Sequence, residues 1–126
     1  MPSKPVGWFE IHVQDMSRAK AFYTQVFGFS FESLESPDPA MELCAFPGPM
    51  DDSHGASGAL VRMDDGPTGV GGTIVYFMCN DCAVEAGRVA DSGGQVARPK
   101  FAIGQYGHVA MVMDTEGNMI GLHSMK

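Results

Sequence analysis

Two strand-like runs of apolar and polar residues each stop at an aspartate. Phe9-Glu-Ile-His-Val-Gln-Asp15 and Val75-Tyr-Phe-Met-Cys-Asn-Asp81 share this pattern at an offset of 66 residues. After Asp15 come MSRAKAFYTQVF and Gly28, and after Asp81 come CAVEAGRVADSG and Gly94, so both Asp-to-Gly separations are 13. Each copy predicts a strand, an Asp N-cap accepting from the first-turn amides, a three-turn helix, and a glycine able to take positive φ. In the first helix Met16, Ala19, Phe22, Tyr23, Val26 and Phe27 fall near an i, i+3, i+4, i+7 stripe, predicting one buried face. The second helix has only Val84, Val89 and Ala90 as main apolar contacts, and Gly87 costs it about 1 kcal/mol relative to Ala. It is expected to be shorter.

Short β-like runs follow each helix: Ser30 to Ser33, Met41 to Phe46 and Ala59 to Met63, then Gln95 to Arg98, His108 to Met113 and Met119 to His123. Each half therefore reads as βαβββ. Module one spans 5–63, a linker 64–72 and module two 73–124, within a single α+β domain. Pro47 to Gly58 reads as a polar, Gly-rich loop, and Asp114-Thr-Glu-Gly-Asn118 as the turn of the last hairpin. Pro67 to Gly72, PTGVGG, lacks the Lys and Ser/Thr of a phosphate loop and precedes a strand, so it reads as linker.

Composition adds bounds. With 126 residues, 44% hydrophobic and 18% charged, the chain is long enough for one ordinary core and too apolar for disorder. It has no uninterrupted apolar run of membrane-spanning length. Its 15 acids against 8 scattered bases give −7, which argues against nucleic acid and anionic membranes as partners. The opening MPSKPVGW shows no apolar signal core, predicting a cytoplasmic location. Sixteen glycines fit many turns, and ten methionines fit either irregular core gaps or an adaptable apolar pocket. Cys79 and Cys82 form a CxxC at a strand-to-helix junction, but both fall on apolar positions, and with Cys44 the count is odd, so reduced thiols are expected. No Gly-x-Ser-x-Gly nucleophile motif is present.

Val13-Gln-Asp15, Ala19-Lys-Ala-Phe-Tyr23 with Gly28, the second Asp81, and Asp114-Thr-Glu-Gly-Asn-Met-Ile-Gly-Leu122 together resemble the vicinal oxygen chelate superfamily of glyoxalase I, bleomycin-resistance proteins and extradiol dioxygenases. The resemblance implies two βαβββ modules with curved mixed sheets around a central cavity, helices outside, and a homodimer. It also implies that metal-dependent members hold a divalent ion through first-strand and last-strand residues of each module. Those positions map here to Trp8, Ile74, Gly121 and a residue within Gly58-Ala-Leu-Val-Arg62, none of them a carboxylate or imidazole. No metal or other cofactor is therefore expected at the usual site. The chain resembles a glyoxalase-like subgroup whose first strand reads GWFE.

Strand alternation places Phe9, Ile11 and Val13 toward the helices, and Trp8, Glu10 and His12 toward the cavity. The same parity turns Ile74, Tyr76 and Met78 inward, with Met119, Gly121 and His123 from the last strand. This predicts a largely apolar ligand pocket. A Glu10 carboxylate set among Trp8, Tyr76 and methionines loses water, which favours its neutral form and suits a general acid or base. Tyr76 and His123 are its candidate catalytic companions. Tyr106 and His108 sit where loop residues can border the cavity mouth, while His54 lies in an acidic loop and reads as solvated. A displaced metal site of Glu10, His12 and His123 is the alternative with a cofactor. Three functions follow: a metal-independent lyase or isomerase acting on an apolar or aromatic small molecule, a sequestering protein of the bleomycin-resistance type, or a metal-dependent lyase or dioxygenase with relocated ligands.

Overall fold

The computed structural model describes residues 5–48 and 55–126. His54, much of the 47–58 loop and the beginning of the N-terminal stretch lie outside the described residues. Close contacts group Trp8–Thr73 into one compact unit, and residues 5–7 with Ile74–Lys126 into another.

The Trp8–Thr73 unit holds most of β1 (Val6–His12), then α1 (Met16–Phe27), β2 (Glu32–Leu34), β3 (Met41–Ala45) and β4 (Ser57–Met63). Its strands lie in the order β2-β3-β4-β1, with β4 and β1 parallel and the other pairs antiparallel. The second unit holds β5 (Thr73–Met78), α2 (Cys82–Val89), β6 (Gln95–Ala102), β7 (His108–Met113) and β8 (Met119–Ser124). Here the order is β6-β7-β8-β5, and again the strand before the helix pairs in parallel with the last strand. Both units are thus βαβββ, and the chain is α+β. No helix among the described residues is long and apolar enough to cross a membrane.

Both helices start as their aspartates dictate. The Asp15 carboxylate accepts from the Arg18 amide at 3.0 Å, and that of Asp81 from the Ala83 amide at 3.0 Å, each satisfying an orphan donor of the first turn. Gly28 ends α1 at φ 75. The second stop differs from expectation: α2 finishes at Val89, a single 3-10 turn covers Ala90–Ser92, and the left-handed residue is Gly93, at φ 95, rather than Gly94. Gly94 instead donates its amide to the Val89 carbonyl at 3.0 Å, and a Cβ there would collide with the Met113 carbonyl.

Each helix packs on one face of its own sheet. Met16, Cys44 and Leu60 are buried with Ile11, Val13 and Tyr23 around them. In the other unit Cys82, Ala86, Ala110, Val112 and Leu122 form the matching cluster. Phe46 anchors the first by edge and tilted contacts with Phe31, Phe9 and Tyr23, at centroid distances of 4.9 to 5.5 Å. Phe22, Val26 and Phe27, assigned to the buried stripe, are each more than half exposed, because Met16, Ala19 and Tyr23 take the central line against the sheet. The second strand of the first unit also starts later than expected, at Glu32 rather than Ser30.

Lys100 Nζ lies 2.8 Å from the Asp81 carboxylate that caps α2. That ion pair, followed by the Ala83 amide, holds the Asp81 carboxyl below the usual carboxylate range. A depressed folded value means its stabilisation is full above the unfolded value near pH 4 and is lost as pH falls through the lower folded one. In urea titrations between pH 5 and 2, the Asp81→Asn protein should accordingly lose less stability than the parent. Equal losses would show that the cap carries no acid sensitivity.

Candidate functional site

Trp8, Glu10 and His12 lie on the face of β1 opposite α1, as alternation requires. Trp8 belongs there with Leu43, Ala59, Val61, Leu34 and Met41, while Ile11 and Val13 pack with the helix-side cluster. The three side chains form a chain of hydrogen bonds. Trp8 Nε1 donates to Glu10 Oε2 at 3.1 Å, and Glu10 Oε1 lies 3.2 Å from His12 Nε2. An indole N–H can only donate, so Glu10 is the acceptor in the first bond. The carboxylate and the imidazole are largely withdrawn from solvent, with side chains 16% and 5% exposed.

His12 is fixed from its backbone as well, its amide donating to the Gly72 carbonyl at 2.7 Å. Its Nδ1 is buried and has no hydrogen-bond partner among the described residues. Gly66 lies beside that nitrogen, close enough that a Cβ there would come within 3.3 Å. A side chain at 66 would press on the imidazole and on the Met63 Cβ, so glycine suits the close approach of the linker to His12.

In the second unit Ile74 and Tyr76 are buried on the face opposite α2, since Phe77 packs with the helix-side cluster. Met78 follows on the same face, and its thioether covers Gly7 where a side chain would otherwise stand. Tyr76 pairs in register with Gly121, and its ring covers that glycine so closely that a Cβ there would overlap it. His123 Nε2 lies 2.6 Å from the Tyr106 carbonyl. A carbonyl only accepts, so this nitrogen carries the proton. Met119 pairs with Met113 at the far end of the hairpin.

His108 is the first residue of β7. Its parity within β7 is that of Ala110 and Val112, which pack against α2, and its register partner is Ser124, whose hydroxyl accepts the Cys82 amide at 3.0 Å. The ring thus belongs to the helix side, with Nδ1 buried and unpartnered among the described residues.

The residues at the positions where the resemblance implies metal ligands do not fit a divalent cation. Register resolves the fourth ligand position: Ala59 pairs with Glu10 as Gly121 pairs with Tyr76. Indole, methyl, isoleucine and glycine offer no ligand, and the Tyr76 ring already fills the space above Gly121. Among the described residues no three His, Cys, Asp or Glu side chains gather as a metal-binding group. Of the displaced set, Glu10 and His12 meet, while the His123 nitrogen is engaged by the Tyr106 carbonyl.

The CxxC is built for burial. Cys82 is fully buried, and desolvation followed by the charge of Glu85 pushes the Cys79 thiol up to about 11. At pH 8 only about one Cys79 in a thousand is then thiolate, the form that reacts. Native protein should show little reaction with a disulfide reagent at pH 8, and three equivalents in denaturant. Rapid labelling of Cys79 in the native state would overturn this.

Among the described residues, a hollow of about 310 Å³ lies at the β2-β3-β4 end of the first unit, and none of the expected site residues lines it. No local motif marks it, because its walls come from three strands and the segments that flank them.

A family model for the bleomycin resistance protein-like N-terminal region matches residues 6–41. The "Putative glyoxylase CFP32" of Mycobacterium bovis is 29% identical over 120 residues, covering 92% of this chain and 44% of that protein. The chain therefore spans less than half the length of this relative. Among solved structures, a Streptomyces coelicolor methylmalonyl-CoA epimerase variant in complex with 2-nitronate-propionyl-CoA aligns at TM-score 0.67 and 16% identity, over 96% of each chain. A hypothetical protein from Bacillus halodurans aligns at TM-score 0.71 and 11% identity, over 98% of this chain and 96% of that one. The methylmalonyl-CoA epimerase of Mycobacterium tuberculosis gives 0.67 and 14%, over 97% and 88%. With a βαβββ order in both units, these matches show that the chain has the fold of the vicinal oxygen chelate superfamily and is similar to its glyoxalase-like and bleomycin-resistance-like proteins.

Proposed function

We propose that this chain binds a small apolar or aromatic molecule on the face bearing Trp8, Glu10 and His12, and that Glu10 moves a proton on it without a metal ion. The observation that carries the reading is the carboxylate held between an indole N–H and a buried imidazole on the sheet face away from the helix. Trp8 and its aliphatic neighbours supply apolar contact, and two hydrogen bonds hold Glu10 in one orientation. A positioned carboxylate of this kind suits proton transfer at a carbon acid. The likeness to epimerases agrees with that chemistry at the level of fold.

Trp8 is the single tryptophan of the chain and is bonded to Glu10, so its emission reports on the site. Binding of phenylacetone, a small aromatic carbon acid, should be followed by Trp8 fluorescence, and exchange of its acidic C–H by proton NMR in D2O. Glu10→Gln is expected to abolish exchange, by at least a hundredfold, and to spare binding. Exchange that survives this change overturns the role of Glu10. Binding without exchange in the parent protein selects sequestration, a reading favoured by the two hydrogen bonds that already engage the carboxylate.

A further inference from the structure

We infer that Met111, Met113 and Met119 form a binding site for a soft monovalent metal ion of the copper(I) type, on the sheet face of the second unit that α2 does not cover. The inference stands apart from the Glu10 reading, which concerns residues of the Trp8–Thr73 unit. Ala110 and Val112 of β7, with Ile120 and Leu122 of β8, pack in the helix-side cluster, so alternation turns the three methionines to the opposite face. Met113 and Met119 are register partners. One step nearer the turn the Asp114 amide donates to the Asn118 carbonyl at 3.0 Å, which makes Met113 and Met119 a non-hydrogen-bonded pair, the kind whose side chains stand closer. Met111 lies two residues from Met113 and diagonal to Met119, with Gly121 opposite it on β8. Three flexible thioethers thus start within reach of one point, at Cβ separations of about 5 to 8 Å.

Core packing does not account for them. All three are partly exposed, and none belongs to the packed clusters of the described residues. Thioether chemistry selects the ion. Soft, neutral sulfur is a poor ligand for magnesium or calcium and brings no negative charge against a divalent ion, whereas copper(I) accepts soft thioether donors. The surrounding charge favours a cation. Asp114 follows Met113 directly, and hydrogen bonds from the Asn118 side chain, then from the amides of Asn118 and Glu116, hold its carboxyl below the usual carboxylate range. Arg98, opposite Met111, directs its guanidinium over Phe101 at 3.5 Å, away from the Met113 end of the strand. The net charge of −7 adds a long-range field of the same sense.

The test is an oxygen-free NMR titration of the whole protein, labelled with ¹⁵N and with ¹³C at its methionine methyls, with copper(I) supplied as its acetonitrile complex. The methyl signals of Met111, Met113 and Met119 should move together and saturate, while those of Met63 and Met125, exposed elsewhere, stay in place. Zinc(II) and magnesium(II) should leave the three unmoved. Met113→Leu conserves volume and keeps the fold, seen as an otherwise unchanged spectrum. With free copper(I) buffered by bicinchoninate, the Met111 and Met119 methyls of that variant should reach half-shift at a free ion concentration about tenfold higher than in the parent, the low end of what a lost contact costs a metal site. Met63→Leu should match the parent. Shifts confined to Met16, which packs with Cys44, or to the Cys79 and Cys82 amides place the ion on thiols and overturn the inference. It is equally overturned if zinc(II) moves the three methyls as far, or if Met113→Leu leaves the half-shift unchanged.

Discussion

Replacing Gly121 by alanine will destabilise the protein by about 1–3 kcal/mol, although the change adds one methyl group in the middle of a strand. The Tyr76 ring occupies the space where the new Cβ would stand, above its register partner. Tyr76→Ala alone should cost about 3–5 kcal/mol, the usual loss for a large buried aromatic. Combining the two gives the decisive measurement. With the ring gone, the alanine at 121 fits, so the double variant should be more stable than the sum of the single losses by 1 kcal/mol or more. Urea unfolding of the four proteins measures this, and strict additivity would show that ring and glycine are not coupled. A glutamate at 121 meets the same obstacle with a larger side chain, and should lower stability without producing metal affinity in a dialysis assay.

Leu60→Ala should cost about 2–5 kcal/mol and is the largest loss expected from a single aliphatic truncation in the first unit. Leu60 is fully buried in the middle of β4, where it meets Met16 of α1 and Cys44 of β3. Truncation therefore opens a cavity at the point where helix and sheet join. Cys44→Ala, beside it, removes a smaller side chain and should cost less. A Leu60→Ala midpoint within error of the parent would mean that the helix does not depend on this contact.

Much of the fold is local enough to be legible along the chain. Asp15 and Gly28 bracket α1 because a cap and a left-handed stop are satisfied by neighbouring backbone groups. Trp8, Glu10 and His12 share a face because strand period is two. What stayed hidden depends on residues distant in sequence. Gly94 is required for a reason distant in sequence, since a Cβ there would collide with the Met113 carbonyl. The placement of His108 follows from its register against Ser124, which also completes the start of α2. The hollow beside Glu32 is assembled from β2, β3, β4 and their flanking segments, and has no signature in any one of them. The bond from Trp8 to Glu10 could have been anticipated from their i, i+2 spacing. The unpartnered Nδ1 of His12 could not, since the linker that passes over it is 54 residues further on at Gly66.

The strand β6 has a consequence for how copies of this protein behave at high concentration. It is the outer strand of its unit, and an outer strand presents unpaired backbone groups that can recruit another chain. Its pairing with β7 slips between Val96 and Arg98 and again between Arg98 and Phe101, with Pro99 in the second interval. The first is a break in regular spacing, and the second places a residue with no amide proton on the strand. Arg98 stacks its guanidinium over Phe101 at 3.5 Å. Irregular spacing, a missing donor and the Arg98 cation deny an incoming strand a continuous template. This outer strand is thereby protected against edge-to-edge polymerisation.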